Sequence, residues 1–241
     1  MPLDDQIYTN EYFDRTYGST VLKGSHPFQY DYWIRYLHQK KPVGRLIDVG
    51  CGLGFFIDKA TKYYFCHGID ASEYAITAAK KRNNNASLSV GDANSLNFGS
   101  DFFDIITCFD VLEHLKSPEI ALGEFNRTLK NGGILLVSVP NTESIGLKWK
   151  GKEWFGYRDS THQSLLSPGE WQNLIERKGF EITDIRYDGL WDIPYITRIP
   201  KSLQYITFTI PSMFLFWLGV RFPKKWGENV LFVGKKSKIY Q

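Results

Sequence analysis

"RLIDVGCGLGFFIDKATKYYFCHGID" occupies residues 45–70 and reads as a strand, a glycine loop, a helix and a second strand. Residues 45–50 and 65–70 are short apolar runs of the length of a buried strand. Between them, residues 55–64 have a helix-like pattern. Strands that alternate with helices at this spacing predict a parallel, doubly wound α/β sheet.

The rest of the chain continues this alternation. Residues 72–83 predict a helix with Ser72 as its N-cap, and residues 117–130 predict another, which Asn131-Gly132-Gly133 would close. A capping box that begins at Ser167 marks the start of a third helix. Further strands are expected at residues 87–93, 103–110, 134–140, 180–187 and 229–236. The pattern therefore predicts a Rossmann-like, seven-stranded, mostly parallel sheet with helices on both faces.

The composition limits the classes of function. The chain has 241 residues, enough for one large domain, and its net charge of +3 is too small to favour nucleic acid as a partner. Cys51, Cys66 and Cys108 lie far apart without a CxxC pair, so we expect buried thiols rather than a disulfide or a zinc site. The first residues contain no apolar segment typical of a secretory signal, and a cytoplasmic location is expected.

We expect residues 1–241 to form a single domain. Residues 1–43 are polar and aromatic and would form a helical cap at the N-terminus. Residues 45–187 and 229–236 would form the core of the domain. Residues 189–228 would then separate the last two strands as an aromatic-rich, hydrophobic insert or lid.

The loop after the first strand carries glycines at positions 50, 52 and 54. Glycines allow the backbone to turn tightly there and to approach a ligand. Phe55 stands where a dinucleotide-binding fingerprint requires a third glycine, and the GK[ST] of a P-loop is absent. A pyrophosphate group is therefore expected to fit this loop poorly.

Acidic residues accompany the first three strands. Asp48 could support a ligand ammonium group, and Asp70, at the end of the second strand, could accept both hydroxyls of a ribose. Asp92 could bind an exocyclic amine while the backbone of Ala93 faces an adenine ring nitrogen. A ligand with an amino-acid end, a free ribose and an adenine, but no diphosphate, matches this set. S-adenosylmethionine has these parts.

Several linked motifs carry a resemblance to a known family: "LIDVGCGLG", "GID", "GDA", "FDIITCFDVLEHL", "GGILLVSVPN" and "THQSLLSPGEWQNLIERKGFE", in this order. The chain resembles the class I S-adenosylmethionine-dependent methyltransferases. Within them it is similar to the small-molecule group that includes ubiquinone-pathway O-methyltransferases and glycan-cluster methyltransferases. The resemblance covers about residues 45–187 and resumes at 229–236. It implies S-adenosylmethionine as the cofactor and S-adenosylhomocysteine as its product.

The resemblance also implies which residues bind the cofactor. The methionine end would lie on the glycine loop, the ribose on Asp70 and the adenine at Asp92 and Ala93, with Ala71 beside it. The backbone near Phe109 would contact the ammonium group. The full set is Asp48, Gly50, Cys51, Gly52, Gly54, Asp70, Ala71, Asp92, Ala93, Phe109 and Leu112.

A second group of polar residues follows the fourth strand. Asp110, Glu113 and His114 have a spacing at which carboxylates and an imidazole could ligate a divalent cation. The alternative is that Glu113 and His114 hold the loop and cap the next helix. We favour this structural alternative, predict no metal ligands, and place His114 in the substrate pocket.

His162 is the candidate for catalysis, in a loop where relatives place a substrate-facing histidine. An imidazole could remove a proton from a hydroxyl group as that group attacks the methyl carbon. The same residue could instead anchor its loop by a hydrogen bond. Tyr157 and Arg158, nearby in the sequence, are candidates for the substrate pocket.

Residues 202–220 contain no charged side chain, and basic residues flank them on both sides. A membrane span of this length is argued against by Pro211 in its middle and by the strand that must return to the sheet afterwards. Three alternatives remain: a buried helical cover, a lid over a hydrophobic substrate, and a peripheral contact of residues 202–222 with an anionic membrane surface.

The expected function is methyl transfer to an oxygen, or a nitrogen, of a small acceptor that is hydrophobic or linked to a lipid or glycan. A nicotinamide-dependent oxidoreductase is the alternative enzyme, and a non-catalytic cofactor-binding partner subunit is the alternative of another class. The [DNS]PP[YF] tetrad that holds a flipped amino-bearing base is absent. The acceptor and the oligomeric state are left open by the sequence.

Overall fold

The computed structural model describes Tyr12 and residues 27–237. Most of the expected N-terminal cap, residues 1–11 and 13–26, lies outside the described residues. The described strands are β1 (Arg45–Val49), β2 (Phe65–Asp70), β3 (Ser87–Val90), β4 (Phe103–Phe109), β5 (Leu129–Pro140), β6 (Phe180–Tyr187) and β7 (Asn229–Lys236). The described α-helices are α1 (Pro27–Lys40), α2 (Phe55–Ala60), α3 (Glu73–Arg82), α4 (Pro118–Thr128), α5 (Ile145–Lys150), α6 (Phe155–Arg158), α7 (Pro168–Arg177), α8 (Lys201–Gln204) and α9 (Ile210–Trp217).

The strands form one seven-stranded sheet in the order β3-β2-β1-β4-β5-β7-β6. β7 runs antiparallel to both of its neighbours, and the other pairs are parallel. The order reverses between β1 and β4, which is where an open α/β sheet binds its ligands at the carboxyl ends of the strands. The predicted fold class is confirmed.

Both faces of the sheet are covered, which explains why its strands are continuous apolar runs. Successive side chains of a strand pack into the two cores on opposite faces of the sheet. Leu46 packs on one face and Ile47 on the other. One core contains Phe125 and Trp171, from α4 and α7. The other contains Trp33 from α1. All three cysteines are free and buried, so the prediction of buried thiols is confirmed.

The sequence prediction placed the boundary between α4 and β5 too late. The helix ends at Thr128, and the strand begins at Leu129, inside the segment 117–130 that the sequence predicts as helix. Leu129 pairs with Phe103 of β4, so pairing with the neighbouring strand begins before the glycines at positions 132 and 133. Gly132 adopts a φ of 72° within β5, where the register against β4 shifts. The positive φ of Gly132 therefore belongs to an irregularity within a strand and not to the end of a helix.

The helix starts follow the predicted capping residues. The Ser72 hydroxyl accepts a hydrogen bond from the Ala75 amide at 3.3 Å at the start of α3. Ser167 and Glu170 form a complete capping box at the start of α7. These caps satisfy amide groups that a helix end would otherwise leave without partners.

Residues 188–228 connect β6 to β7 and contain α8, a π-helical turn (Tyr205–Thr209) and α9. Pro211 lies near the start of α9, where its missing N–H removes one bond from the helical ladder. Phe216 of α9 is buried in the same core as Trp33 of α1. Among the described residues, no helix is both long and apolar enough to cross a bilayer.

Candidate functional site

A cleft lies at the carboxyl ends of β1, β2 and β4, at the switch point of the sheet. One part has about 620 Å³ of space, which is open to solvent, and is lined by Tyr12, Val49, Gly50, Gly52, Ile69, Asp70, Ala71, Gly91, Ala93, Phe109, Asp110, Val111, His114 and Leu115. An adjoining part of about 460 Å³ is lined by Tyr30, Asp48, Gly50, Cys51, Leu53, Phe55, Phe56, Phe109 and Asp110. The two parts share Gly50, Phe109 and Asp110. Most of the predicted cofactor residues are therefore brought to one continuous cleft.

The glycine loop is shaped by backbone conformations that side chains rarely adopt. Gly50, Gly52 and Gly54 all have positive φ, of 74°, 49° and 77°. A Cβ on Gly50 would stand 2.1 Å from Cγ2 of Val111, whereas one on Gly54 would stand 2.6 Å from Asn83. Gly50 thus permits the approach of the loop after β4, and Gly54 permits the packing of α2 on α3.

Asp70 ties the glycine loop to the end of β2. One carboxylate oxygen accepts the Gly52 amide at 2.8 Å, and the other accepts the Ser72 amide at 2.9 Å. Burial raises the pKa of Asp70, although these two hydrogen bonds act in the opposite direction. Each carboxylate oxygen retains a free lone pair, so the group can still accept hydrogen bonds from the two hydroxyls of a ribose.

Asp48 is buried beneath the cleft, in the part that adjoins Tyr30. Its Oδ1 accepts a hydrogen bond of 2.7 Å from the Thr107 hydroxyl. Burial raises the pKa of Asp48 to about 7; the Thr107 bond lowers it, and the charge of Asp70 raises it. A carboxyl group with this pKa gains a negative charge readily when a cation binds beside it.

The expected adenine site is formed by the neighbours of Asp92 rather than by its side chain. Gly91 and Ala93 line the cleft, while Asp92 is absent from the described lining residues. Its Oδ1 accepts the Asn94 amide at 2.8 Å and holds the turn after β3. Ala71 lines the same part of the cleft, as expected.

The loop after β4 corrects the expectation for Leu112. This residue is fully buried in the core, and Val111 and Leu115 line the cleft in its place. Within the 3₁₀ turn Leu112–His114, the side chain of Leu112 points into the core, whereas those of Val111 and Leu115 on either side of it face the cleft. Asp110 adopts a φ of 55°, faces both parts of the cleft, and accepts a hydrogen bond of 2.8 Å from Ser138. Burial raises its pKa, while the Ser138 bond and nearby His162 act in the opposite direction.

Three aromatic rings stand at the same end of the cleft as Asp48. Tyr30 and Phe56 contact the Phe109 ring, with centroids 5.6 and 4.9 Å away. Sequence reasoning missed Tyr30 and Phe56, as well as Tyr12, as lining residues. Tyr30 is the fourth residue of α1, within the segment predicted only as a helical cap, and a helical pattern alone does not distinguish a core residue from a cleft residue.

His114 and His162 lie side by side, with ring centroids 4.6 Å apart. Nδ1 of His162 is 2.7 Å from the Gly156 carbonyl oxygen, which can only accept, so the proton lies on Nδ1 in the neutral ring. The Thr161 hydroxyl donates to Asp159 at 2.5 Å and so accepts from Nδ1 of His114 at 2.8 Å. Both neutral rings therefore carry their protons on Nδ1 and leave Nε2 as an acceptor.

Burial, and after it the neighbouring His162, lower the pKa of His114 to about 4. His114 lines the cleft, and its place in a substrate pocket stays a prediction. His162 stands behind it and does not itself line the described part of the cleft. The predicted catalytic residue is therefore brought next to the cleft, but not into its wall.

Glu113, His114 and His162 also form a candidate metal cluster. One ligand atom from each of them lies within 4.8 Å of the others. Glu113 is buried, burial raises its pKa well above the usual range, and its Oε2 has no hydrogen-bond partner among the described residues. A raised pKa favours the neutral acid, whereas a metal ligand is the carboxylate. The geometry permits a cation, whereas the raised pKa of Glu113 opposes one.

Tyr157 and Arg158 lie on α6, away from the lining of the cleft as far as the structure describes it. The Arg158 guanidinium is 2.6 Å from Asp192, and the Lys150 ammonium lies at the same distance from this carboxylate. Tyr157 is half exposed and packs its ring near Trp154. Arg158 is therefore part of an ion-pair network with Asp192 and Lys150. The sequence predicts a substrate contact for Arg158 and does not predict this network.

Comparisons with known proteins agree with this arrangement. A family model described as a methyltransferase domain matches residues 29–185. The uncharacterized methyltransferase YcgJ of Bacillus subtilis is 31% identical over 157 residues, which cover 62% of this chain and 61% of that protein. A ubiquinone biosynthesis O-methyltransferase of Bartonella quintana is 26% identical over 151 residues, covering 58% and 61%. The matches thus span less than two thirds of the length of these relatives.

The fold has counterparts among solved structures. A SAM-dependent methyltransferase from Archaeoglobus fulgidus superposes with a TM-score of 0.64, covering 95% of this chain and 100% of that one. The two sequences are 17% identical. At this level of identity the likeness concerns the fold alone.

Proposed function

The chain belongs to the methyltransferase-domain family, and we propose that it transfers a methyl group from S-adenosylmethionine to a hydroxyl oxygen of a small acceptor. The acceptor would be hydrophobic or linked to a lipid or glycan. The oxygen is favoured over nitrogen because ubiquinone O-methyltransferases are among the relatives and because a histidine stands beside the cleft.

The charges of the cleft support S-adenosylmethionine. Asp48, Asp70 and Asp110 line it, and no lysine or arginine is found among the described lining residues. A sulfonium and an ammonium group suit such a set, whereas the diphosphate of a nicotinamide cofactor would meet carboxylates without a compensating cation. This difference argues against the alternative oxidoreductase.

The observation that carries the proposal is the hydrogen bond between Nδ1 of His162 and the Gly156 carbonyl. It fixes the tautomer that leaves Nε2 free to take a proton from an acceptor hydroxyl. S-adenosylmethionine, when bound, supplies a methyl group on a sulfonium and leaves as S-adenosylhomocysteine. His162 would accept the hydroxyl proton, and His114, held neutral by burial, would orient the hydroxyl without repelling the cofactor.

Calorimetry with S-adenosylhomocysteine and, separately, with NAD tests the cofactor assignment. We expect binding of the former only, and binding of NAD alone would overturn the proposal. The acceptor class is tested by incubating the protein and S-adenosylmethionine with a panel of phenols, catechols and quinone precursors and detecting methyl ethers. Transfer to an amine but to no hydroxyl in the panel would overturn the choice of oxygen.

The role of His162 is tested by His162→Gln, with His67→Gln as the matched control, because His67 packs among Phe98, Phe102 and Phe103 instead of beside the cleft. We expect kcat of the first variant to fall about a hundredfold, the scale of general base catalysis, with S-adenosylhomocysteine affinity unchanged. Equal kcat in both variants would remove His162 from the mechanism.

A further inference from the structure

The helical part of the insert exposes its apolar side chains on one side. Leu203, Ile206, Ile210, Phe214 and Leu218 recur at helical spacing, and together they are here called the apolar face. Their side chains are between 47% and 60% exposed. A helix at the surface of a globular protein normally turns this side towards the core.

Three polar side chains of the same segment, Gln204, Thr209 and Ser212, are buried instead. Gln204 is fully buried: its Oε1 accepts the Tyr195 and Ile196 amides, and its Nε2 donates to the Ile196 and Ile199 carbonyls. The Ser212 hydroxyl, also buried, accepts the Leu190 amide at 3.2 Å. Gln204 and Ser212 thus have their hydrogen-bond partners inside the protein, whereas the apolar face lies outside.

The charges within residues 193–227 of the insert are of one sign, although two of the basic residues reach acidic partners elsewhere: Arg221 lies 2.9 Å from Asp184, and Lys224 lies 2.9 Å from Glu143. Residues 193–227 contain no aspartate or glutamate, while the basic side chains lie at both ends of the face: Arg198, Lys201, Arg221, Lys224 and Lys225. All five are exposed. An apolar face bordered by lysine and arginine complements a surface that is apolar beneath a layer of negative charge.

The segment is held firmly to the fold. The Phe216 ring packs against Tyr32 of α1 with centroids 4.9 Å apart, and the Gly219 carbonyl accepts a hydrogen bond from Arg186 at 3.1 Å. At the end of the insert, the buried Glu228 accepts hydrogen bonds from Trp154 at 2.7 Å and from Ser144 at 3.0 Å. The exposed side chains thus belong to an ordered element and not to a fraying loop.

We propose that the apolar face lies in the headgroup region of an anionic membrane, with α9 parallel to the membrane plane. No residue of 189–228 contributes to the described lining of the cleft, which argues against a lid there. Phospholipid explains both the apolar side chains and the basic border, whereas a second copy of the chain would bring the same positive charges together. Membrane contact does not require methyl transfer; only the suggestion that a lipid-linked acceptor is met there rests on the proposed function.

Vesicle flotation tests this inference with the whole chain. The probes are vesicles of phosphatidylcholine mixed with phosphatidylglycerol and vesicles of phosphatidylcholine alone. The decisive variant is Ile206→Ser with Phe214→Ser, which removes two side chains that are 60% and 56% exposed. The matched control is Ile120→Ser with Phe65→Ser, since these two are 51% and 78% exposed at other places on the surface.

We expect the protein and the control variant to float with the anionic vesicles, and the decisive variant to partition at least about tenfold more weakly. Salt should weaken the binding of the unmodified protein. Unchanged S-adenosylhomocysteine binding by both variants shows that they remain folded and separates this inference from the proposed function. Equal flotation of the two variants would overturn the inference. So would a protein that does not float at all but forms a dimer, if the decisive variant abolishes that dimer and the control variant does not.

Discussion

His114 and His162 stand edge to face at 4.6 Å, and each is held through Nδ1 by a different partner. His114 bonds to Thr161, which is itself bonded to Asp159, whereas His162 bonds to the Gly156 carbonyl. Two imidazoles at this distance oppose double protonation. The pair therefore places a His114 ring that burial keeps neutral beside a His162 ring whose Nδ1 is held by a carbonyl oxygen.

His114 is expected to stay neutral throughout the ordinary working range of pH. Its pKa of about 4 is caused first by burial and then by His162. The imidazole ¹⁵N signals of His114, assigned with His114→Gln, should change little above about pH 5. In His162→Gln the midpoint should move upwards, because one of the two causes is removed. A midpoint near that of free histidine in the unmodified protein would contradict the burial argument.

Gly50→Ala should impair both folding and cofactor binding. Alanine at this positive φ costs about 1–2 kcal/mol, and the overlap with Val111 at 2.1 Å adds to it. We therefore expect the free energy of unfolding in urea to fall by about 2 kcal/mol or more. Gly99→Ala is the control, since a Cβ there meets nothing within 4 Å. Equal stability of the two variants would show that the loop after β4 can move away.

Binding of S-adenosylhomocysteine should depend on pH through Asp48. With a pKa of about 7 in the free protein, Asp48 is largely protonated at pH 6 and must release its proton to pair with the ligand ammonium. The dissociation constant should therefore fall as the pH rises towards about 7.5, by at most about tenfold per pH unit, and then level off.

Calorimetry in buffers of different ionisation enthalpy measures the released proton directly. Asp48→Asn should bind more weakly and with a flatter pH profile. Asp70 and Asp110, whose pKa values are also raised, face the same cleft and would keep a residual dependence. An unchanged profile in Asp48→Asn would assign the proton to one of these two residues.

Asp188 should make the fold less stable as the pH rises. Burial raises its pKa to about 8, so the folded state retains a proton that the unfolded state loses above about pH 4. The stabilising contribution of the protonated group is complete at low pH and disappears as the pH rises to about 8, at an expected cost on the order of a few kcal/mol.

Asp188→Asn removes this dependence. The free energy of unfolding of the variant, relative to the unmodified protein, should increase between about pH 4 and pH 8 and then become constant. The amide keeps only one acceptor oxygen for the three groups that donate to Asp188, which belong to Gln29, Trp191 and Asn229, and this loss changes the free energy of unfolding by the same amount at every pH. Asp58→Asn, at an exposed position, is the control. Parallel curves for the variant and the unmodified protein would contradict the prediction.

The candidate site was only partly predictable. The glycines and acidic residues follow strands, so their place at one edge of the sheet follows from the alternation of elements. Whether Val111 or Leu112 faces the cleft depends on the turn Leu112–His114, which local sequence does not encode. Tyr30 comes from α1, and only the packing of this distant helix brings it to Phe109.

The sequence by itself determined the doubly wound sheet, the glycine loop and the acidic end of β2, because periodicity and backbone freedom act over a few residues. The tertiary structure decided which polar side chains are buried with hydrogen-bond partners. Residues 202–220 show uncharged composition but not orientation. Only the carbonyls and amides that surround Gln204 and Ser212 turn the polar side of this segment inwards and leave its apolar face outside, because buried polar groups require partners that distant parts of the chain supply.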